Sequence, residues 1–493
     1  MRPRHIAYII WIVIALLGAV CLIVPEDGFS IGKYTLRWPT LAEALDLKED
    51  SIADYDLAIW DDSLLVKVDT IDSILHDSVI QASTIAATDS VQQKPQPSIP
   101  DANIENTDSR VYLAAFYAAL DSASSMPVRV VHYGDSQIEE DRITNILRER
   151  WQKEYGGGGV GLIPLHQTIP TRTIRQWLSI RGAVQSTQGG PKRYLVYGPR
   201  SMRLENDDYG VMGQVAVMDS MLVEGSEDVV LTIEPMDKKR KPHNYFNRVR
   251  VLTDSVEIKN YELRILNDSN LTLSEQNQDT IYSRFNIQTY LLPDSTTHCE
   301  LRLQGKGHVY GLSLETDNGV IVDNIPMRGC SGNIFTKIDS TQLSDFYCAT
   351  YTRLIILQFG GNMIPQTENP TTIRGYVRNT MRQQVRYIRA CAPQASVLLI
   401  GPSDMSTNID GTMTTYPLVP YMDQQLRKMA AEEQIAYWSM YDAMGGKNSM
   451  VRWVENGLAG SDYVHFTRAG ANNIGKKLYD WIMNYPDSLN SKF

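Results

Sequence analysis

Ser136 occupies a position where a serine can act as a nucleophile. The apolar run Val128–Tyr133 predicts a buried strand, Gly134 and Asp135 predict a tight turn, and a helical pattern follows. A serine at a strand-to-helix turn exposes its hydroxyl at the carboxyl edge of a sheet, and its backbone N–H can face a developing oxyanion. A serine that only caps the helix would occupy the same position.

His465 is the candidate base for such a serine. Asp462 precedes it by three residues, so a single turn can bring the carboxylate to the imidazole, fix the tautomer and stabilise the imidazolium. A helix-capping aspartate followed by a surface histidine would give the same D-x-x-H pattern. His132, on the predicted strand before the turn, is interpreted as a core histidine.

Acyl transfer also needs hydrogen-bond donors for the tetrahedral oxyanion. Asn362 follows the predicted buried strand 354–359 and could present its side-chain amide there. Gly329 lies in a glycine turn, 328–332, and could offer a backbone N–H, with Gly332 as a nearby alternative. Glycine and asparagine also tolerate positive φ, so turn formation alone could explain these residues.

Two different patterns alternate along the chain. Apolar strands separated by helical segments predict one α/β domain, formed by residues 109–190 and 325–493. Short alternating runs separated by turn residues predict an all-β sandwich inserted at residues 191–324. The segment Gly156–Gly161 satisfies G-x-G-x-x-G, but it follows a predicted helix instead of a strand, so we expect no nucleotide binding.

Residues 1–26 predict a transmembrane anchor. Arg2 and Arg4 precede an apolar run, Ile6–Val24, of 19 residues without a charge. The arginines favour the cytoplasmic side, which predicts that the rest of the chain is extracytoplasmic. A cleaved signal peptide is the alternative, although no small-x-small cleavage site is present. Residues 27–108 are predicted to form a stalk, because residues 46–108 are rich in Asp, Ser, Thr and Gln.

Composition excludes some classes of partner. The chain has 493 residues and a formal net charge of −10, whereas nucleic-acid-binding proteins carry a basic footprint. No C-x-x-C or Cys/His cluster is present, so neither a metal nor another cofactor is predicted. Four of the five cysteines lie outside the predicted anchor, as free thiols or in disulfides: Cys299, Cys330, Cys348 and Cys391.

Taken in order, these motifs resemble the SGNH (GDSL-type) hydrolase family. That family is named after four blocks that carry Ser, Gly, Asn and His. Here Gly134-Asp-Ser136, the glycine turn, Phe359-Gly-Gly-Asn362 and the D-x-x-H segment follow one another in the same order. The sequence departs from the family pattern at Gln137, where leucine or asparagine is frequent, and at Met363, where aspartate is frequent.

The resemblance implies a fold and a set of roles. The fold is a flavodoxin-like three-layer α/β domain with a parallel sheet, interrupted by the sandwich. Ser136 would be the nucleophile, with Asp462 and His465 completing the triad. The oxyanion hole would consist of the Ser136 N–H, Gly329 and Asn362, and no cofactor would be needed.

The predicted anchor and insert further resemble peptidoglycan O-acetylesterases and their acetyltransferase relatives. This implies a serine esterase that removes O-acetyl groups from a cell-envelope or exported polysaccharide such as peptidoglycan. The insert is interpreted as carbohydrate-binding-like, and the catalytic domain as periplasmic. One alternative is an O-acetyltransferase working with a membrane acyl donor protein. Another is a non-catalytic glycan-binding envelope protein.

Overall fold

The computed structural model describes residues 29–31, 34–36 and 108–484, with gaps. The gaps are residues 182–190, 219–227, 238, 240, 255–257, 267–271, 274–277 and 295. The chain divides into two units, Met1–Ser98 and Ile99–Phe493. In the first unit, β1 (Phe29–Ile31) pairs with β2 (Tyr34–Leu36) in antiparallel orientation.

The predicted anchor, residues 1–26, lies outside the described residues, as does nearly all of the predicted stalk. Within the ranges that the structure describes, no helix is both long enough and apolar enough to cross a membrane.

The second unit contains the remaining helices and strands. The helices are α1 (Ala114–Leu120), α2 (Thr144–Tyr155), α3 (Ser340–Ala349), α4 (Pro370–Gly375), α5 (Arg382–Cys391), α6 (Val419–Glu432), α7 (Met440–Met444), α8 (Ser449–Glu455) and α9 (Arg468–Met483), with a π-helical turn at Tyr376–Met381. The strands are β3 (Pro127–Gly134), β4 (Gly161–Ile163), β5 (Ile174–Arg181), β6 (Lys192–Leu195), β7 (Gln214–Met218), β8 (Asp228–Pro235), β9 (Arg248–Thr253), β10 (Ile258–Ile265), β11 (Thr272–Leu273), β12 (Gln278–Ile281), β13 (Asn286–Leu291), β14 (Cys299–Gly305), β15 (Gly307–Glu315), β16 (Gly319–Pro326), β17 (Thr352–Gln358), β18 (Ser396–Ile400), β19 (Ser406–Ile409), β20 (Thr412–Thr415) and β21 (Ala436–Trp438).

A five-stranded parallel sheet forms the centre of the α/β domain. Its spatial order is β16-β3-β17-β18-β21. Numbered by their sequence within the sheet, the strands run 2-1-3-4-5, which is the flavodoxin-like order. In β3, Val130 packs into the cluster with α1, α2 and α9, whereas Val131 packs into the cluster with α3, α5 and α6. The predicted three-layer α/β architecture with a parallel sheet is therefore confirmed.

Two antiparallel sheets form the insert. One has the order β11-β10-β14-β8-β5, and the other β12-β13-β9-β15-β7-β6, with β4 paired to β15. Leu231 and Leu301 from the first sheet share an apolar core with Val249 and Leu312 from the second. The insert is thus a sandwich, in agreement with the alternating pattern of its sequence.

The structure places the boundaries of the insert away from residues 191 and 324. Ile163 of β4 and Ile174 of β5 already lie in the sandwich core, and β5 pairs with β8 along its whole length. β16, whose first six residues fall within the predicted insert, belongs to the parallel sheet. The sequence did not predict β5, because the polar residues of this edge strand make its alternation of apolar and polar residues weak.

The glycine-rich segment 156–161 follows α2 and packs closely against other backbone. A Cβ at Gly159 would lie 2.0 Å from the Leu314 carbonyl oxygen, and one at Gly161 would lie 2.2 Å from Asp323 Oδ1. Only glycine permits this approach between the connecting segment, the sandwich and the sheet. The segment follows a helix, whereas a dinucleotide-binding loop follows a strand.

The cysteines of the described residues are free thiols. Cys299, Cys330 and Cys391 are buried, and Cys348 is exposed. The structure therefore has free thiols instead of disulfides at these four residues.

A buried ionic cluster joins the parallel sheet to the sandwich. Arg129 of β3 donates from Nη1 to Asp323 Oδ1 at 2.6 Å and from Nη2 to Glu315 of β15, and all three side chains are at most 1% exposed. Glu315 also pairs with Arg250 of β9 at 3.1 Å, and Asp323 Oδ1 accepts the backbone N–H of Leu162 at 2.8 Å. Each buried charge thus has a partner, which is the condition for tolerating it.

We predict that Arg129→Met destabilises the protein by about 3–5 kcal/mol, because it leaves the buried Asp323 carboxylate without its cation and removes one of the cations that pair with Glu315. Arg175→Ala is the matched control: it removes an exposed pair with Glu234 at 3.1 Å, which should contribute at most about 1 kcal/mol. Urea unfolding measures both. Equal losses in the two variants would contradict the importance assigned to the cluster.

Candidate active site

The turn after β3 presents Ser136 at the carboxyl edge of the sheet. β3 ends at Gly134, a 3₁₀ segment spans Ser136–Asp141, and α2 begins only at Thr144. Asp135 is the N-cap of the 3₁₀ segment, since its Oδ1 accepts the Gln137 N–H at 2.9 Å. The capping alternative for Ser136 is therefore wrong, and its hydroxyl is available for another partner.

The structure brings the predicted serine, histidine and aspartate together. Ser136 Oγ lies 2.8 Å from His465 Nε2, and His465 Nδ1 lies 2.7 Å from Asp462 Oδ2. Asp462 Oδ1 accepts the backbone N–H groups of Val464 and His465, each at 3.0 Å. Burial alone would raise the pKa of Asp462, but these hydrogen bonds and the imidazole lower it to about 2. The carboxylate is therefore ionised at neutral pH and can stabilise an imidazolium.

A strained turn before α9 fixes His465. Tyr463 has φ +56°, a left-handed conformation that is uncommon for an aromatic residue and is found where the surrounding structure enforces it. Gly460 donates its N–H to the His465 carbonyl at 2.8 Å, and the Tyr463 carbonyl accepts the Ser406 N–H at 3.1 Å. These bonds determine the direction in which the imidazole points.

Gln137 connects the nucleophile turn to the histidine turn. Its side chain is buried, and Nε2 donates to the Val464 carbonyl at 2.6 Å and to Ser403 Oγ at 3.2 Å. The sequence indicated Gln137 only as a departure from the family pattern. A polar residue directly after a nucleophile, on a turn that must be buried, is the signal that could have identified this positioning role.

Asn362 connects three loops of the site. It follows β17, and its Nδ2 donates to the Cys330 carbonyl at 3.1 Å and to Asp135 Oδ2 at 3.3 Å. The predicted amide therefore lies beside the nucleophile turn, although both of its N–H groups have protein acceptors in this structure.

The two candidate glycines have different environments. Gly332 has φ +81°, and a Cβ there would lie 2.9 Å from a ring carbon of Phe359, so packing explains this glycine. Gly329 has φ +72°, is exposed and has open space where a Cβ would be. Between the two, Gly329 is the one whose backbone borders free space.

An open space of about 380 Å³ adjoins Ser136. The loops that follow β3, β17 and β18 form it, together with the histidine turn. It is lined by Asp135, Ser136, Gln137, Gln358, Phe359, Gly361, Asn362, Gly401, Pro402, Ser403, Met405, Met440 and Val464. The apolar members make the space suited to a small acyl group.

His132 is a core histidine, as predicted. It is fully buried, with Nε2 3.1 Å from Gln358 Oε1 and Nδ1 2.9 Å from Thr144 Oγ1. Burial lowers its pKa to about 4, so it is neutral at physiological pH. Within the described part of the chain, no three His, Cys, Asp or Glu side chains are grouped as metal ligands.

Residues 294–472 match the model of the GDSL-like lipase/acylhydrolase family. The chain carries an SGNH hydrolase domain. It is accordingly an enzyme of the serine esterase type. The family match begins inside the insert and includes the blocks of Asn362 and His465, whereas Ser136 precedes it.

The chain is similar to several solved structures. One described as "Peptidoglycan O-acetylesterase in action, 5 min" is 20% identical, covers 79% of this chain and 97% of its own, and has a TM-score of 0.54. The acetyl xylan esterase AlAXEase is 13% identical over 33% of this chain and 80% of its own, with a TM-score of 0.26. A catalytic mutant of the acetylxylan esterase Axe2 from Geobacillus stearothermophilus is 16% identical. It covers 34% of this chain and 73% of its own, also with a TM-score of 0.26. No curated relative matches the sequence.

The pKa of Asp135 gives a testable pH dependence. Burial raises this pKa to about 6, although the Gln137 N–H and the charge of His465 act in the opposite direction. The folded protein therefore holds a proton that the unfolded chain releases near pH 3.8, so the free energy of unfolding falls as pH rises between these values.

Relative to Asp135→Asn, we expect the wild type to lose about 3 kcal/mol of stability as the pH rises from 3.8 to 6, and no more above pH 6. Urea unfolding of both proteins at several pH values measures the difference. A difference that is the same at pH 4 and pH 7 would mean that the Asp135 carboxyl titrates normally.

Proposed function

We propose that this protein removes O-acetyl groups from a cell-envelope or exported polysaccharide such as peptidoglycan. One observation carries the proposed chemistry: the continuous relay from Ser136 Oγ through His465 to Asp462, with distances of 2.8 and 2.7 Å. The relay lies where the sheet order changes direction, between β3 and β17, which is the ligand-binding position of open α/β sheets.

The reaction uses this relay in two steps. Ser136 Oγ attacks the ester carbonyl while His465 Nε2 accepts its proton, and Asp462 stabilises the imidazolium. His465 then returns the proton to the leaving sugar oxygen, the ester C–O bond breaks, and an acetyl-serine remains. In the second step a water molecule loses its proton to His465 and attacks the acetyl-serine, which releases acetate and restores the serine.

The oxyanion is stabilised by donors at the same edge of the sheet. We assign this role to the backbone N–H groups of Ser136 and Gly329 and to Asn362 Nδ2. The longer of the two Asn362 bonds, 3.3 Å to Asp135 Oδ2, is the one that a reacting oxygen would replace. The bond to the Cys330 carbonyl then keeps the amide in place.

Two observations support an acetylated glycan as substrate. The space beside Ser136 is lined by polar side chains such as Gln137, Asn362 and Ser403 as well as by apolar ones, which suits a polar sugar ester better than a long acyl chain. The fold, including the insert, extends over 97% of a solved structure described as a peptidoglycan O-acetylesterase. The sandwich inserted in the α/β domain gives a polymer a binding surface beyond the sugar that reacts.

Ser136→Ala should lower acetate release from O-acetylated glycan by at least about 10³-fold, because it removes the nucleophile. It should also abolish labelling by a fluorophosphonate while the melting temperature is kept. Ser403→Ala is the control for labelling, since Ser403 lies in the same space without a histidine partner. Labelling that persists in Ser136→Ala contradicts the assignment. A wild type that binds glycan but neither labels nor releases acetate would support the non-catalytic alternative.

Transfer of the acetyl group to a sugar hydroxyl would use the same triad. The insert enters the chain between Ser136 and Gly329, so a sugar held by it would be near the acetyl-serine. Positioning can give effective molarities of roughly 10⁵ M, enough to compete with water at about 55 M.

We expect hydrolysis to dominate. The test is to load Ser136 from p-nitrophenyl acetate, add deacetylated glycan fragments, and measure free acetate and acetylated glycan together. Acetylated glycan that accumulates as acetate release falls would establish the transferase alternative, in which a membrane acyl donor protein supplies the acetyl group.

We also propose that residues 1–26 anchor the enzyme in the membrane with its catalytic domain outside the cytoplasm. The support is the sequence alone: two arginines before an uncharged apolar run. Protease added to spheroplasts should digest the catalytic domain. Digestion only after lysis would place the domain in the cytoplasm.

A further inference from the structure

Arg328 borders the nucleophile turn on the side of the insert. Pro326, at the end of β16, pairs in register with Gly134 at the end of β3, and the Met327 N–H donates to the Gly134 carbonyl at 2.7 Å. Arg328 is the next residue and directly precedes Gly329. Its side chain is 68% exposed, so it lies beside the site and faces solvent.

Glu139, three residues after Ser136, holds the Arg328 side chain in place. Its carboxylate is 5% exposed and accepts two parallel hydrogen bonds, from Arg328 Nε to Oε1 and from Nη2 to Oε2, each at 2.8 Å. Glu139 accepts both of these hydrogen bonds, and the nearby charge of Glu140 also favours the Arg328 cation. A guanidinium has five N–H donors, so the edge formed by Nη1 and the second Nη2 hydrogen remains available.

The backbone around Glu139 is held in an unusual conformation. Glu140 and Asp141 are consecutive non-glycine residues with φ of 59° and 60°. Asp141 is buried and pairs with Arg148, while Glu140 pairs with Arg172 at 3.1 Å. Left-handed residues of this kind persist only where the surrounding structure enforces them, and they cluster at functional sites. Here the strained pair directs the Glu139 carboxylate toward Arg328.

The sandwich supports the loop that carries Arg328. A Cβ at Gly213, next to β7, would lie 3.1 Å from Met327 Cε and 2.9 Å from Val196, so these elements are in close contact. Tyr197 packs on the same apolar cluster, which includes Met327 and Cys330. The loop is therefore fixed from both sides, and the free edge of the guanidinium has a defined direction.

We propose that the free edge of Arg328 binds a carboxylate of the substrate, so that the enzyme selects acetyl esters on acidic sugars. The inference rests on the proposed function, and it names the class of sugar. A planar guanidinium held at one edge is suited to a second, bidentate contact with a carboxylate. Buried Glu139 balances the charge of Arg328 in the free enzyme and keeps its geometry when substrate binds.

The test uses two substrates that differ only in charge. One is an O-acetylated oligosaccharide of uronic acids, and the other is the same oligosaccharide with its carboxylates converted to carboxamides. We expect the wild type to prefer the carboxylate form about tenfold or more in kcat/KM, and Arg328→Ala to reduce that ratio to near one. Arg328→Lys should retain part of the preference, because an ammonium keeps the positive charge but cannot donate two parallel hydrogen bonds from a planar group.

Arg386 provides a matched control. Its side chain is 60% exposed and is held by the buried carboxylate of Glu433 through Nε and Nη2 at 3.0–3.2 Å, but it lies on α5, outside the site. Arg386→Ala should keep the wild-type ratio. If Arg328→Ala does not fold, Arg328→Gln, which retains donors for Glu139, serves in its place.

A wild-type ratio near one, or a tenfold ratio that persists in Arg328→Ala, would overturn the inference. Activity on p-nitrophenyl acetate separates this outcome from failure of the proposed function. An enzyme that hydrolyses the aryl ester and both oligosaccharides equally has the esterase activity without selection of the carboxylate. An enzyme that hydrolyses none of them refutes the esterase proposal, and the role of Arg328 with it.

Discussion

A guanidinium in the dry centre of the molecule constrains much of this structure. Arg129 lies on β3, which ends two residues before Ser136, and its buried charge must be balanced by carboxylates. Those carboxylates come from the sandwich and from β16. The pairing therefore fixes the sandwich against the sheet and β16 against β3. The loop after β16 then lies beside the turn that carries Ser136, where the Met327 N–H donates to the Gly134 carbonyl.

The strand order explains why residues far apart in sequence meet. With the order 2-1-3-4-5, β3 and β17 are neighbours, and the turn that carries Ser136 lies beside the one that carries Asn362. The histidine arrives differently, through a local turn in which Asp462 both caps the backbone and binds the imidazole. Long-range topology thus provides one half of the site and local geometry the other.

The sequence predicted those parts of the fold that depend on local pattern. The strands of the parallel sheet read as continuous apolar runs because helices cover both faces, and Asp462 and His465 are close enough in sequence to meet in one turn. The 3₁₀ segment with left-handed Glu140 and Asp141 was missed, because ion pairs with Arg172 and Arg148 stabilise it. The role of the glycine run was also missed, since it depends on backbone that is distant in sequence.

The position of the insert has a consequence for the order of folding. The neighbouring strands β3 and β16 pair in parallel at a sequence separation of 192 residues, as with Pro127 and Gly319. Closing so long a loop in a flexible chain is entropically costly, and non-local pairing of this kind is slow. A sandwich that has already folded brings its two ends together and removes most of that cost. β3 therefore pairs with β16 efficiently only after the insert has folded. Assembly of the active site thus depends on earlier folding of the insert.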